Sequence, residues 1–407
     1  MRIAVWHALP SGGALRMLGD QLRGLAARGH DLRVWSPPGA HAVDAAGFSY
    51  REVRWNAPVG GGGRSELAEA WRRRRADLDA FAEHCAACAR EIDAWAPDVA
   101  LAHPGDMYRP SALAMSLDTP SVLYLQEPDR RLFEAGFAFP WVAGHGTRRR
   151  IGVSAVRRFV AELARVERKR IEVRDQTDWV HAFDEVLVNS AFSREALLRA
   201  YGRRARVCLP GIDTERFGWQ DRPQQVRGTV LSVGALVDSK NPRFLVEAVA
   251  AAGPAVSRFV WVANHVDEHC RAQVERVARD VGVVFELRDG VSDEELLAAY
   301  GEADVFVYAP RLEPFGLAPL EANATGLPVV AVAEGGVRET VVDGVNGVIV
   351  DQDAHELGAA LANLLADPVR TRALGRAACD HVVGNWGVDA SIDRLEAHLL
   401  AVVERGR

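Results

Sequence analysis

Short apolar runs alternate with longer amphipathic stretches from the first residues of the chain. The run Arg2-Ile3-Ala4-Val5-Trp6 has the length of a buried strand, and a break at Pro10-Ser11-Gly12-Gly13 follows it. From Leu15 to Ala27 apolar residues recur at helical spacing, and another strand-like run begins at Asp31. Strands that alternate with helices predict an α/β fold with a parallel sheet.

The alternation continues along the chain with one interruption. Further strands are predicted at 99–102, 122–125, 186–190, 230–234, 259–263, 283–287, 304–308 and 329–333, and further helices at 65–95, 267–281, 293–301 and 316–325. Pro210-Gly211 and the polar stretch 219–227 suit a hinge. We therefore predict two Rossmann-like, doubly wound domains, 1–208 and 209–385, that face a central cleft. Ligands of such sheets bind beyond the carboxyl ends of the strands.

Length and composition agree with two globular domains. The chain has 407 residues, 48% of them hydrophobic, whereas single cores stop growing near ~250–300 residues. No apolar run reaches the ~18 residues of a membrane span. Residues 1–15 lack the form of a signal peptide. We expect a cytoplasmic protein.

Charge is divided unevenly between the two halves. Residues 1–207 carry 31 Lys/Arg and 25 Asp/Glu, and residues 208–407 carry 18 and 30. The overall acidity argues against nucleic acid as a partner. The basic half, with nine Arg and one Lys in the stretch 148–174, leaves two alternatives open. It suits an anionic acceptor, or a weak association with a membrane surface, although a helix with a solvated basic face explains it as well.

Cysteine and aspartate patterns do not predict a metal centre. Cys85 and Cys88 lie in a helical pattern with no second Cys-x-x-Cys, so we expect two small buried residues. The pairs Asp77-Leu78-Asp79 and Asp351-Gln352-Asp353 are not well placed to hold a divalent ion.

The strongest chemical signal is the segment Glu313-Pro314-Phe315-Gly316-Leu317-Ala318-Pro319-Leu320-Glu321. It follows a predicted strand, through a loop that contains Arg311, and it opens a helix at Gly316. Free N–H groups at a helix start hold phosphates well. Leu317 and Glu321 are four residues apart on one helix face, so Glu321 is placed to accept the hydroxyls of a ribose. Glu313, on the loop, is placed to meet a sugar.

This segment and its neighbours resemble the retaining glycosyltransferases of family 4, whose mark is Glu-x7-Glu. The resemblance extends over most of the chain. It includes Ser11-Gly12-Gly13, Val188-Asn189-Ser190, the stretch 209–217, Val233-Gly234 through Lys240, Gly326-Leu327-Pro328, Glu334-Gly335-Gly336 and Asp343-Gly344-Val345-Asn346-Gly347. The segment 386–407 is similar to the family's helix that crosses back to the first domain.

The resemblance implies a GT-B fold, transfer of a sugar from a nucleotide-diphosphate sugar to a hydroxyl acceptor, retention of anomeric configuration, and no bound metal or other cofactor. The acceptor is a small molecule or lipid-linked. The implied catalytic residues are Glu313 and Lys240. The implied donor-binding residues are Ser11, Gly12, Gly13, Gly234, Arg311, Phe315, Gly316, Leu317 and Glu321.

Three positions depart from the family's pattern. Ala235 stands where members usually have Arg, so Lys240 is left with help from Arg311 or Arg16. Gln126-Glu127-Pro128 stands where members often have His, and Gln cannot relay a proton. We expect Gln126, Glu127 and His103, at the predicted end of strand 99–102, to face the acceptor. Asn264 replaces a usual glycine.

Competing functions remain. A dinucleotide oxidoreductase is disfavoured because Ser11-Gly12-Gly13 lacks the G-x-G-x-x-G fingerprint. A GT-B-fold epimerase or phosphorylase would use water or phosphate in place of an acceptor. A catalytically degenerate nucleotide-sugar-binding protein is the non-enzyme alternative, motivated by Ala235 and Gln126.

Overall fold

The computed structural model describes residues 1–43, 47–55, 66–134, 153–221 and 226–406. Some of the sequence predictions lie outside these ranges: the beginning of the basic stretch, at 148–152, and part of the hinge, at 222–225. No helix in the described ranges combines the length and the apolar character needed to cross a membrane.

Residues of the first half form a parallel seven-stranded sheet. Its strands are β1 (Arg2–Ala8), β2 (Asp31–Ser36), β3 (Ser49–Glu52), β4 (Val99–Gly105), β5 (Ser121–Tyr124), β6 (Glu185–Val188) and β7 (Arg206–Val207). Their order is β3-β2-β1-β4-β5-β6-β7. The helices are α1 (Gly13–Ala27), α2 (Glu66–Trp95), α3 (Arg130–Phe133), α4 (Val153–Ala182) and α5 (Ala191–Tyr201).

The second half repeats this plan with six parallel strands. These are β8 (Thr229–Val233), β9 (Arg258–Ala263), β10 (Phe285–Asp289), β11 (Val305–Tyr308), β12 (Val329–Val332) and β13 (Gly347–Val350), in the order β10-β9-β8-β11-β12-β13. The helices are α6 (Pro242–Ala251), α7 (Glu268–Val281), α8 (Asp293–Glu302), α9 (Leu317–Ala324), α10 (Val337–Thr340), α11 (Ala354–Ala366), α12 (Pro368–Asn385) and α13 (Val388–Gly406).

Burial on both faces explains why the central strands are continuous apolar runs. Residues Ile3 to Trp6 of β1 and Val305 to Val307 of β11 are fully buried. Strand order reverses between β1 and β4 and between β8 and β11. The prediction of two doubly wound Rossmann-like units is confirmed, and each has its crevice beyond the carboxyl ends of these paired strands.

Helix α13 packs against the first domain although it follows the second in sequence. Its apolar face shares one core with α1 and β1, through Ile392, Leu395, Leu399, Val402 and Val403. The approach of α13 to α1 is close, because a Cβ on Gly24 would lie only 2.5 Å from Ile392 Cγ1.

Candidate active site

Lys240 and Glu313, the two residues predicted as catalytic, are in direct contact. Lys240 Nζ lies 2.6 Å from Glu313 Oε2, and the two side chains are 26% and 13% exposed. Lys240 ends a 3₁₀ turn, Asp238–Lys240, that follows β8. Glu313 follows β11, the strand that pairs with β8. The sheet therefore brings a cation and a carboxylate together at the carboxyl ends of its two central strands.

The loop that carries Glu313 leads directly into α9. Gly316 precedes the helix with φ 101°, a left-handed conformation that favours glycine. No side chain among the described residues caps α9, and its first turn has no acidic residue. Its first backbone N–H groups and the positive end of the helix dipole are therefore suited to an anion.

Gly335 and Gly336 allow their own segment of backbone to pack closely against the loop that carries Glu313. A Cβ on Gly335 would lie 2.4 Å from the carbonyl oxygen of Glu313, and one on Gly336 would lie 2.2 Å from that of Pro314. Gly336 N–H also donates to the Glu313 carbonyl at 2.8 Å. The Glu334-Gly335-Gly336 sequence therefore supports the backbone that presents Glu313.

Glu321 lies one turn into α9, 4% exposed, and it has two partners. Tyr300 Oη donates to Glu321 Oε2 at 2.9 Å, and Arg16 Nη2 lies 3.0 Å from Glu321 Oε1. The carboxylate charge raises the pKa of the Arg16 guanidinium. Burial, together with the same charge, raises the pKa of Tyr300 well above its usual value. Arg16 comes from α1, so this ion pair joins the two domains.

Ser11-Gly12-Gly13, predicted to bind the donor, lies against Leu317 and Asn264 of the second domain. Asn264 Nδ2 donates to the Ser11 carbonyl at 3.3 Å. A Cβ on Gly13 would be 3.3 Å from Leu317 Cδ1, and one on Gly12 would be 3.4 Å from Asn264 Nδ2. Side chains larger than glycine would push Leu317 and Asn264 away.

Further contacts between the domains converge on the same region. Ser190 Oγ donates to the Pro314 carbonyl. Glu339 Oε2 and Oε1 accept the N–H groups of Ala191 and Phe192 at 2.8 and 2.9 Å, at the start of α5. A carboxylate from one domain therefore caps a helix of the other. Beside the Arg16–Glu321 ion pair, residues of both domains line a cavity of about 20 Å³, enough for about one water molecule.

Two predicted site residues have buried side chains. His103 is fully buried and stacks on Tyr124, because β4 continues past it to Gly105 instead of ending at residue 102. Burial lowers the pKa of His103 to about 3, so the ring is neutral. The ring of Phe315 is buried against Trp386, with 5.4 Å between centroids. Its side chain belongs to the core of the second domain, which leaves only its backbone at the start of α9.

The remaining predicted residues surround the cleft. Gly234 lies under the Lys240 side chain, since a Cβ there would be 3.9 Å from Lys240 Cε. Arg311 is exposed on the loop before Glu313. Gln126 Nε2 faces Met17 Sδ at 3.8 Å. Glu127 is already paired, with Arg109 at 3.0 Å and Arg130 at 2.7 Å.

One residue of each acidic pair considered as a metal ligand contacts nearby protein groups. Asp353 Oδ1 accepts the N–H groups of His355 and Glu356 and so caps α11. Asp79 lies on α2, 3.9 Å from Arg75. Cys85 and Cys88 are buried on α2, as predicted. The described ranges hold no cluster of three or more His, Cys, Asp or Glu arranged for a metal ion.

Two sequence profiles of known protein families match this chain. The sequence profile described as Glycosyltransferase Family 4 matches residues 11–216, and that of Glycosyl transferases group 1 matches residues 213–381. The two profiles meet near the predicted hinge.

Two curated relatives are similar over about half of the chain. One is a D-inositol 3-phosphate glycosyltransferase of Geodermatophilus obscurus, 34% identical over 54% of this chain and 53% of its own length. Another is a GDP-mannose-dependent alpha-(1-6)-phosphatidylinositol monomannoside mannosyltransferase of Mycolicibacterium smegmatis, 32% identical over 50% of this chain and 58% of its own. The matched region therefore spans just over half the length of these relatives.

Solved structures share the fold. HepE of Anabaena in complex with UDP superimposes with a TM-score of 0.70 at 16% identity, over 98% of this chain and 100% of its own. WaaG, a glycosyltransferase involved in lipopolysaccharide biosynthesis, gives a TM-score of 0.63 at 16% identity, over 98% and 99%. Two Rossmann-like domains with a cleft between them define a GT-B architecture. The chain belongs to glycosyltransferase family 4.

Proposed function

We propose that the protein transfers a sugar from a nucleotide-diphosphate sugar to a hydroxyl group of an acceptor, with retention at the anomeric carbon. The observation that carries the proposal is the contact of Lys240 with Glu313, 2.6 Å apart beside the open start of α9. A cation and a helix N-terminus suit the diphosphate, and the carboxylate suits the sugar hydroxyls.

The donor would extend along α9. Its diphosphate would lie at the N–H groups that follow Gly316, near Lys240, and its ribose would reach Glu321 one turn further. Arg16 now occupies that carboxylate at 3.0 Å, so ribose binding would replace the ion pair. The released guanidinium would remain close to the diphosphate, where Ala235 provides no charge.

During transfer, the bond between the anomeric carbon and the diphosphate oxygen breaks, and a bond to the acceptor oxygen forms on the same face. The acceptor proton leaves with the diphosphate. Negative charge builds up on that leaving group, so Lys240 and the helix start would stabilise the transition state more than the bound donor. With these groups supplying the positive charge, the proposed reaction needs no metal.

The acceptor side is proposed to include Gln126, which is half-buried at the end of β5. A neutral amide there can hydrogen-bond a hydroxyl without carrying a proton. The names of the curated relatives specify inositol 3-phosphate and a phosphatidylinositol monomannoside. We therefore propose a phosphorylated polyol, free or lipid-linked, as the acceptor class.

A ligand screen followed by an assay tests this function. Nucleotide sugars are ranked by thermal shift, and the best donors are incubated with inositol phosphates while release of nucleoside diphosphate is measured. Sugar transfer to the acceptor, with the donor's anomeric configuration in the product NMR spectrum, supports the proposal. Stabilisation by donors without any transfer would favour a degenerate binding protein. Turnover that needs only water or phosphate would favour an epimerase or phosphorylase.

A further inference from the structure

The loop before Glu313 has a left-handed residue that is not glycine. Leu312 has φ 53°, one of three such residues in the described part of the chain, with Ala96 and Asn241. An L-residue with a side chain adopts this region at a cost in free energy, so surrounding contacts must hold it. Because Leu312 directly precedes Glu313, its conformation sets the direction of that carboxylate.

The second domain holds one side of this turn. Leu312 N–H donates to Glu334 Oε1 at 2.6 Å, and Arg311 N–H donates to the Ser239 carbonyl at 2.8 Å. These contacts use the backbone N–H groups of Arg311 and Leu312. They leave the carbonyl oxygens of Arg311 and Leu312 to other partners.

Those carbonyl oxygens are bound by a residue of the first domain. Arg130 Nη1 donates to the Arg311 carbonyl at 3.2 Å, and Arg130 Nη2 donates to the Leu312 carbonyl. The planar guanidinium thus donates hydrogen bonds to two consecutive carbonyl groups, a geometry that a lysine ammonium does not reproduce.

Arg130 is itself oriented by the segment predicted to face the acceptor. Its Nε donates to Glu127 Oε2 at 2.7 Å, and Glu127 also pairs with Arg109 at 3.0 Å. Asp129 caps α3 by accepting the Arg131 N–H at 3.0 Å, which fixes the backbone at Arg130. A continuous chain of contacts therefore runs from Glu127 through Arg130 to the Glu313 loop.

We propose that Arg130 is a positioning residue that holds the left-handed turn at Leu312, and with it Glu313, from across the cleft. It couples the state of the acceptor-side segment to the direction of Glu313. The inference rests on the proposed function for its kinetic consequence, but its structural consequence stands apart from any reaction.

The kinetic test compares Arg130→Ala and Arg130→Lys with Arg51→Ala. Arg51 is a first-domain arginine on the edge strand β3, and its Nε lies 2.9 Å from Glu91 Oε2. Both Arg130 variants should lower kcat by about 10- to 100-fold, as for a misplaced catalytic group. Their Kd for nucleoside diphosphate should stay within about twofold of the wild-type value, because Arg130 hydrogen-bonds the loop carbonyl groups and does not contact the nucleotide. An unchanged kcat, or a loss confined to Kd or KM, would overturn the proposal and make Arg130 a ligand contact or a surface residue.

Rescue provides a sharper criterion. Asparagine tolerates the left-handed region better than leucine, so Leu312→Asn should restore part of the turnover lost in Arg130→Ala. The same substitution in the wild-type background should change kcat little. Equal effects in both backgrounds would show that Arg130 does not act through this turn.

Hydrogen–deuterium exchange tests the inference without sugar transfer. In Arg130→Ala the segment 309–316 should exchange faster than in the wild type, while β12, at 329–332, should be unchanged. If the wild type transfers no sugar, the proposed function fails and this measurement still decides the role of Arg130. Unaltered exchange at 309–316 in an active enzyme would refute the positioning role alone.

Discussion

Arg16 and Glu321 join the two domains through an ion pair of 3.0 Å, at the carboxylate proposed to bind the ribose. Glu321 is almost completely buried, and Tyr300 holds its other oxygen. A nucleotide that binds here has to exchange with Arg16 at one oxygen and leave Tyr300 in place. In the proposed binding mode, donor binding would therefore weaken this interdomain contact.

The first prediction concerns Glu321. Glu321→Ala should weaken nucleoside diphosphate binding by ~1.5–3 kcal/mol, because a charge-assisted hydrogen bond to the ribose is lost. Tyr300→Phe, which only loosens the carboxylate, should cost less, ~0.5–1.5 kcal/mol. Isothermal titration calorimetry measures both. Glu268→Ala, at a side chain 79% exposed on α7, is the control. Equal affinities for Glu321→Ala and the control would make Glu321 an ordinary helix residue.

The second prediction concerns Lys240. Lys240→Met should reduce turnover by ~10²–10³-fold and affect donor binding much less, because charge on the diphosphate grows in the transition state. Ala235→Arg should restore part of the loss by returning a cation to the same loop. Lys169→Met, at the other lysine of the chain, is the matched control. A Lys240→Met enzyme that keeps most of its steady-state turnover would reduce Lys240 to a structural partner of Glu313.

The third prediction concerns metal ions. Lys240, Arg16 and the start of α9 are proposed to offset the charge of the diphosphate, so excess EDTA should leave the rate of nucleoside diphosphate release nearly unchanged. Added Mg²⁺ or Mn²⁺ should not raise it. Loss of activity with the chelator, followed by recovery with either ion, would contradict the metal-free reaction.

The fourth prediction concerns stability in acid. Burial lowers the pKa of His7 to about 4 and that of His103 to about 3, from 6.5. Below about pH 6.5 the unfolded chain therefore binds more protons than the folded protein, so the free energy of unfolding decreases as the pH is lowered. Each histidine should lower the free energy of unfolding by ~2 kcal/mol when the pH is lowered from 7 to 5.

His103→Leu separates this effect from general acid unfolding. Neither ring nitrogen of His103 has a hydrogen-bond partner in the described part of the chain, so an apolar replacement loses no bond there. Urea unfolding is measured at pH 7 and pH 5. The free energy of unfolding of His103→Leu should fall between these two pH values by ~2 kcal/mol less than that of the wild type. His269→Leu, at an exposed position, should behave like the wild type. Parallel losses in all three proteins would contradict the assignment.

Periodicity and glycine placement predicted the fold and the start of α9 well. The runs 259–263 and 329–333 became β9 and β12 within a residue, and Gly316 opens α9 as expected. These features are local, because apolar spacing and a left-handed glycine need no knowledge of the other domain.

The failures have physical reasons too. The sequence predicts that a strand ends at residue 102, just before His103, but Gly105 pairs with Ala8 of β1, so β4 continues to residue 105. Tyr300 and Arg130 gave no motif, because their roles depend on Glu321, 21 residues away, and on Leu312, 182 residues away. Tyr300 contacts Glu321 within the second domain, and Arg130 contacts Leu312 from the other domain. Both contacts depend on how distant parts of the chain pack together, which no local pattern records.

Helix α13 has a consequence for the order of folding during synthesis. Its Ile392 and Leu395 fill the same core as Leu18 and Leu22 of α1. Domains usually fold as units while the chain emerges from the ribosome. Here the first domain emerges with the apolar surface that α13 covers still exposed. That surface stays exposed while the second domain is being translated. Its core closes only when residues 388–406 arrive, which makes the first domain to appear the last to be completed.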